Sequence, residues 1–190
     1  MPREQITFDE LLEAMKRAAA VLRDEEIDHA LSGSLAAYAR GGPETEHDVD
    51  FFLRPEDAER ALAAFEAAGY RPERPPEEWL LKAYDPECGV LIDLIFDPSG
   101  GPVTDEWLAR AEKMEVAAMR VPVATLEDVF VTKLLSVVEQ EPDFSAALEI
   151  ARSLREQIHW SEVRDRTEAS PFAKAFFTLV EELGIVEEVA

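Results

Sequence analysis

Two short apolar runs constrain this chain more than any other feature: residues 49–53 (VDFFL) and 90–96 (VLIDLIF). Both are of strand rather than helix length, and both are bounded by polar residues and by glycine or proline. They read as buried strands. Each is nevertheless interrupted by an aspartate, Asp50 in the first and Asp93 in the second. A carboxylate in an apolar strand is costly unless a partner or a ligand compensates it, so the chain has to build a sheet that accommodates charge in its interior.

The surrounding pattern supplies the layers. Thr7 and Glu10 have capping-box spacing, and Phe8, Leu11, Leu12, Met15, Ala19 and Leu22 recur at helical intervals, which predicts a helix ending near Asp24. Residues 29–32 form a short candidate strand. Gly33 and Ser34 then open a small-residue helix, which Gly41, Gly42 and Pro43 stop, and a polar loop over 44–47 leads to the first apolar run. Pro55 suits a first helical position, and Ala58, Leu62, Phe65 and Ala68 share a face before Gly69. Residues 79–84 and 90–96 flank a DPECG segment and predict an antiparallel hairpin. A helix near 105–111 and a strand within 115–121 follow, the strand weakened by Ala117 and Ala118.

From Thr125 the pattern is helical throughout. Thr125 and Asp128 cap a helix that presents Leu126, Val129, Phe130, Lys133, Leu134 and Val137 and that Pro142 ends, with further helices over 144–157, 161–168 and 172–183. The expected fold is α/β (α+β): a mixed β-sheet flanked by helices over residues 1–122, then a C-terminal helical bundle over residues 123–190.

Composition narrows the function. At 190 residues the chain suits one domain with a small appendage. Lys and Arg number 19 against 41 Asp and Glu, a net charge of −22, and the 47% hydrophobic content is that of a globular protein. A field of that sign repels phosphate backbones and anionic lipid, so neither nucleic acid nor a membrane is an expected partner. One cysteine, Cys88, cannot form an internal disulfide, and histidines at 29, 47 and 159 are too dispersed for a zinc site. Nowhere do about 18 apolar residues run together, and the first residues lack an apolar stretch behind their basic residue. A reducing, cytoplasmic location without secretion or membrane insertion is expected.

The chemistry concentrates at Asp48, Asp50 and Asp93. Residues two apart on a strand point the same way, so Asp48 and Asp50 stand side by side while Val49 and Phe51 face the core. Adjacent anions repel unless one is protonated, both are solvated, or a cation lies between them, and a hard divalent ion is the natural occupant. Taken singly, each residue has a plainer reading. Asp48 can end a turn, Asp93 can sit on an edge strand facing water, and Gly33 with Ser34 can serve tight packing. Amide groups at the helix start that Gly33 and Ser34 form also offer an anion site. Trp79, Tyr84 and Trp107 can line a pocket or pack the core.

Gly33 and Ser34, thirteen intervening residues, then Asp48-Val49-Asp50 with Asp93 on a neighbouring strand resemble the signature of the nucleotidyltransferase superfamily typified by DNA polymerase β. Within it the chain looks like the small bacterial branch of aminoglycoside and lincosamide nucleotidyltransferases and abortive-infection toxins. The segment VATLEDV at 123–129, with Lys133 beyond it, resembles the helix that follows the catalytic domain in these proteins. The resemblance implies that Gly33 and Ser34 hold the triphosphate of an NTP such as ATP, with Lys133 near its β and γ phosphates. Asp48, Asp50 and Asp93 would be both catalytic and metal ligands, holding two Mg²⁺ ions, with Asp93 also helping to deprotonate an acceptor hydroxyl. The acceptor would be a small molecule or a protein. Arg40 and Lys82 are further candidates for phosphate contact. The competing expectation is a catalytically silent module of the same fold acting through protein contacts, as in a toxin–antitoxin pair.

Overall fold

In the computed structural model, which describes residues 6–45, 48–139 and 142–187, the chain opens with helix α1 (Phe8–Asp24). Its capping box is complete: the Thr7 hydroxyl accepts from the Glu10 amide, and the Glu10 carboxylate accepts from the Thr7 amide at 2.8 Å. After it come β1 (His29–Leu31), α2 (Gly33–Ala39), β2 (Asp48–Leu53), a 3₁₀ turn at Pro55–Asp57, α3 (Ala58–Ala67), β3 (Arg71–Glu73), β4 (Leu80–Tyr84) and β5 (Leu91–Ile95). The rest of the chain forms α4 (Asp105–Ala109), β6 (Glu112–Val116), β7 (Met119–Val123), α5 (Leu126–Leu135), α6 (Ser145–Leu154), α7 (Trp160–Thr167) and α8 (Pro171–Glu182). Two residues of the expected polar loop, Glu46 and His47, lie outside the described residues, as do residues 1–5.

The seven strands make one mixed sheet in the order β3-β4-β5-β2-β1-β7-β6. The two apolar runs are its centre: β2 pairs β5 in parallel and β1 antiparallel. On β2, Val49 and Phe51 are completely buried, and the aspartates alternate with them onto the opposite face. Helices α1 and α3 pack against the sheet and bury Leu11, Met15, Leu22, Leu62 and Phe65. The expected hairpin of β4 and β5 forms around a turn organised by the buried Asp85, whose carboxylate accepts from the Glu87 and Cys88 amides and from Arg17.

Helices α5 to α8 build a bundle with its own apolar centre, in which Phe130 lies with its ring centroid 5.1 Å from Trp160 and 6.1 Å from Phe176. A fully buried carboxylate on α5 ties α4 and α7 together: Asp128 accepts from Arg110 at 2.8 Å and from Arg166 at 2.7 Å. The mixed sheet with flanking helices and a helical bundle is the fold expected from the sequence.

Two local expectations need correction, and one strand, β3, was not expected. The strand expected within 115–121 is instead the hairpin of β6 and β7. Ala117 and Ala118 form its turn with φ of 49° and 63°, the left-handed pair that a two-residue hairpin loop requires. Strand β3 carries Pro72, which hides its period from sequence but suits a sheet edge, where the missing N–H costs no ladder bond. Helix α5 stops at Leu135 rather than running to Pro142, so Val137 is not helical. The Ser136 hydroxyl bonds back to the Lys133 carbonyl at 2.9 Å, and the β-branched Val137 and Val138 that follow disfavour continuation.

Removing Asp128 leaves two guanidinium groups without their shared anion. Asp128→Ala is therefore expected to lower unfolding free energy by about 2–4 kcal/mol. Glu162→Ala, which removes only the exposed partner of Arg166, is expected to cost less than about 1 kcal/mol. Urea denaturation of the two variants checks the order, and equal losses would contradict the tie.

Candidate active site

The register of the central strands assembles the three aspartates. In the parallel pairing of β2 with β5, Asp50 lies directly opposite Asp93, and Asp48 is two residues back on the same face. One carboxylate oxygen from each of Asp48, Asp50 and Asp93 lies within 4.8 Å of the others, a cluster unique among the described residues. On the other side of β5, Lys82 of β4 is the antiparallel partner of Asp93, and its Nζ donates to Oδ1 at 3.1 Å.

Gly33 makes the close approach possible. It has φ of +58°, and a Cβ built on it would stand 1.7 Å from Oδ2 of Asp50. Only glycine takes both the left-handed backbone and the contact. The amide of Ser32 donates to the Asp50 carbonyl at 2.8 Å, which locks the start of α2 to β2. Beside Asp50 opens a cavity of about 160 Å³, lined by Phe52, Trp79, Ile95 and Pro98, by Thr132 and Lys133 of α5 and by Ser136 just after it. A larger cavity of about 780 Å³, between the end of α1 and the β6–β7 hairpin, includes none of the three aspartates and holds no comparable cluster.

The electrostatics follow from crowding. Burial pushes the Asp50 carboxyl up to about 8, the neighbouring charge of Asp48 adds to the rise, and Lys133 opposes it. Burial likewise raises Asp93, against the pull of Lys82. Once Asp50 gives up its proton, three carboxylates face two lysines and one negative charge is left for a cation to neutralise. The donors are all hard oxygens, so the set fits a divalent cation such as Mg²⁺ better than a soft metal.

Of the residues singled out in the sequence, Gly33, Asp48, Asp50, Asp93 and Lys133 come together here. Ser34 does not face the same cavity: it lines an adjoining recess with Pro43, Thr45 and Glu149. Arg40 lies away from the cluster, donating to the Ala124 carbonyl at 3.0 Å and to Glu112. Trp107 packs in the core against Phe52, and the Tyr84 ring lies under Arg71, whereas Trp79 is 41% exposed at the cavity. Lys82, singled out as a candidate for phosphate contact, joins the cluster as the ion-pair partner of Asp93. Ser99, Thr132 and Ser136 carry no comparable sequence signal.

The family model described as "Uncharacterised nucleotidyltransferase" matches residues 10–181. Among curated proteins none matches the chain by sequence. Among solved structures, the antibiotic-resistance factor ANT(2'')-Ia in solution aligns with a TM-score of 0.66 at 16% identity, covering 94% of this chain and 99% of its own. The same factor in complex with adenylyl-2''-tobramycin gives 0.63 at 18% identity, covering 87% and 98%. The lincosamide antibiotic adenylyltransferase LnuA, lincomycin-bound, gives 0.54 at 13% identity, covering 77% and 96%. At these identities the likeness is one of fold. No helix among the described residues is long and apolar enough to cross a membrane.

Two outcomes are expected. Without metal, the protonated Asp50 favours the folded state. That contribution is full below the ordinary carboxylate value of 3.8 and is lost as pH rises through about 8. An ion must displace that proton, so the rise in melting temperature caused by Mg²⁺ should grow between pH 6 and pH 9, and Asp50→Asn should flatten the growth. Separately, Gly33→Ala should displace the Asp50 carboxylate and reduce the Mg²⁺-dependent shift at any pH. Thermal melts with and without Mg²⁺ measure both, and a variant melting like the parent would contradict the assignment.

Proposed function

The chain belongs to the nucleotidyltransferase family whose model it matches, and from that premise we propose that it transfers an NMP group from an NTP, ATP in the first instance, to a hydroxyl of a small molecule or a protein. The observation that carries the reading is the convergence of Asp48, Asp50 and Asp93 within 4.8 Å on one sheet face. Three carboxylates at that spacing are a poor structural device, since mutual repulsion destabilises them. They are a good one for binding cations.

In this reading Asp48 and Asp50 hold two Mg²⁺ ions, and Asp93 contributes to one of them. Bound there, the ions would stabilise charge on the attacking and leaving oxygens of an in-line displacement at the α-phosphorus. The acceptor oxygen forms the new bond to that phosphorus as the bond to the β-phosphate oxygen breaks, and pyrophosphate leaves. The hydroxyl proton passes to Asp93. Lys133, across the cavity from the sheet, neutralises β and γ phosphates, and the backbone at Gly33 and Ser34 holds the triphosphate.

Charge speaks to the acceptor. A net charge of −22 disfavours a nucleic acid. The neighbouring structures hold adenylyl-tobramycin and lincomycin, and hydroxyl-bearing small molecules of those kinds are the first acceptors to try.

Pyrophosphate release and NTP binding, measured side by side over a panel of acceptors, test the assignment of roles. Asp93→Ala is expected to lower kcat by roughly 10²–10⁴-fold while retaining appreciable Mg²⁺-NTP affinity. Asp48→Ala should damage both. Good NTP binding by the parent chain without pyrophosphate release for any acceptor would favour a nucleotide sensor, and no binding at all would favour a silent module.

A further inference from the structure

Trp79 stands out among the aromatic residues. With Val138 and Leu183 it is one of three exposed large hydrophobic side chains among the described residues, and of the three it alone lines the cavity beside Asp50. Its backbone is fixed: the Trp79 carbonyl accepts from the amides of Phe96 at 3.1 Å and Asp97 at 3.2 Å, which anchors it to the end of β5. The indole thus stands just before β4 with 41% of the residue open to solvent. The other two tryptophans, Trp107 and Trp160, are 7% and 9% exposed and pack against Phe52 and Phe130.

The cavity that Trp79 borders has a distinctive chemistry. Phe52, Ile95, Pro98 and the indole give it an apolar wall, and Ser99, Thr132 and Ser136 are among its other lining residues. Among the described residues Asp50 is the only carboxylate in the lining, and Lys133 stands against it. A polycation would find one anion there, already opposed by a lysine. A neutral planar ring would find an aromatic face to stack on, an apolar wall, and hydroxyls to meet its edge, those of Thr132 and Ser136 as acceptors because each already donates to a helix carbonyl.

We propose that the Trp79 side of the cavity beside Asp50 is the base subsite, in which the heteroaromatic ring of the nucleotide stacks on the Trp79 indole while its phosphates lie toward Gly33 and Lys133. The inference rests on the nucleotidyl-transfer reading and adds to it the group that holds the base. Stacking tolerates different bases, because each has a π face, so any preference among NTPs falls to the hydroxyls of Ser99 and Ser136.

Calorimetry and fluorescence on the full chain test this with Mg²⁺-ATP and Mg²⁺-tripolyphosphate as probes, the second carrying phosphates without a base. The emission difference between the parent and Trp79→Phe isolates the Trp79 signal. Mg²⁺-ATP should quench it, and tripolyphosphate should bind without quenching. Trp79→Ala should weaken ATP roughly 5- to 100-fold while leaving tripolyphosphate affinity unchanged, and Trp79→Phe, which keeps an aromatic face, should retain most of the ATP affinity. An unchanged ATP affinity in Trp79→Ala, or an effect confined to the KM of an acceptor, overturns the base subsite while leaving nucleotidyl transfer standing. A parent chain that binds neither probe overturns both readings together.

Discussion

Everything at the site depends on holding three carboxyl groups within 4.8 Å of one another at the centre of a sheet. The device is strand register. Asp50 and Asp93 are forced to be neighbours by parallel pairing between β2 and β5, and a slip of one residue on either strand would turn an aspartate into the apolar core and an apolar residue toward the site. Val49, Phe51, Ile92 and Leu94, all completely buried, resist that slip. The hydrophobic face of each strand thus stabilises an arrangement that its polar face opposes, and the polar face is relieved by Lys82, by Lys133, and by the proton that burial keeps on Asp50.

The same requirement explains the local backbone. Ser32 and Gly33 have to pass close to Asp50 without blocking it, so the turn from β1 into α2 takes a left-handed glycine and donates the Ser32 amide to the β2 carbonyl rather than to the carboxylate. The carboxylate is left free on the cavity side. A residue with a side chain at position 33 would occupy the space that Asp50 now takes, whatever its helix propensity.

Much of this was legible from sequence because the signals were strong and local. The capping box at Thr7 and Glu10, the apolar runs and the DPECG turn each name their own structure, and Asp48, Asp50 and Asp93 stand out because they break runs that would otherwise be uniformly apolar. The departures are of three physical kinds. At β6 and β7, Ala117 and Ala118 adopt a left-handed turn usually filled by asparagine and glycine, so composition gave no warning. Helix α5 ends early through a local hydroxyl-to-carbonyl bond at Ser136, a competition that periodicity does not register. The exposure of Trp79, and the separation of Ser34 from the cavity that Gly33 borders, are tertiary facts. They depend on where α5 and the segment at 98–101 settle over the sheet.

That dependence links the bundle to the site. The first turn of helix α5 carries Asp128, clamped by Arg110 from the end of α4 and by Arg166 from α7, and little more than a turn later the helix presents Lys133 to the cavity beside Asp50. The position of the one cation on that side of the cavity is therefore set by ion pairs and aromatic packing inside the bundle. The carboxylates answer to a different constraint, the sheet register, and would stay clustered if the bundle shifted. Two independent packing problems, strand pairing for the anions and helix docking for Lys133 and the hydroxyls of Thr132 and Ser136, have to agree before the cavity has its chemistry.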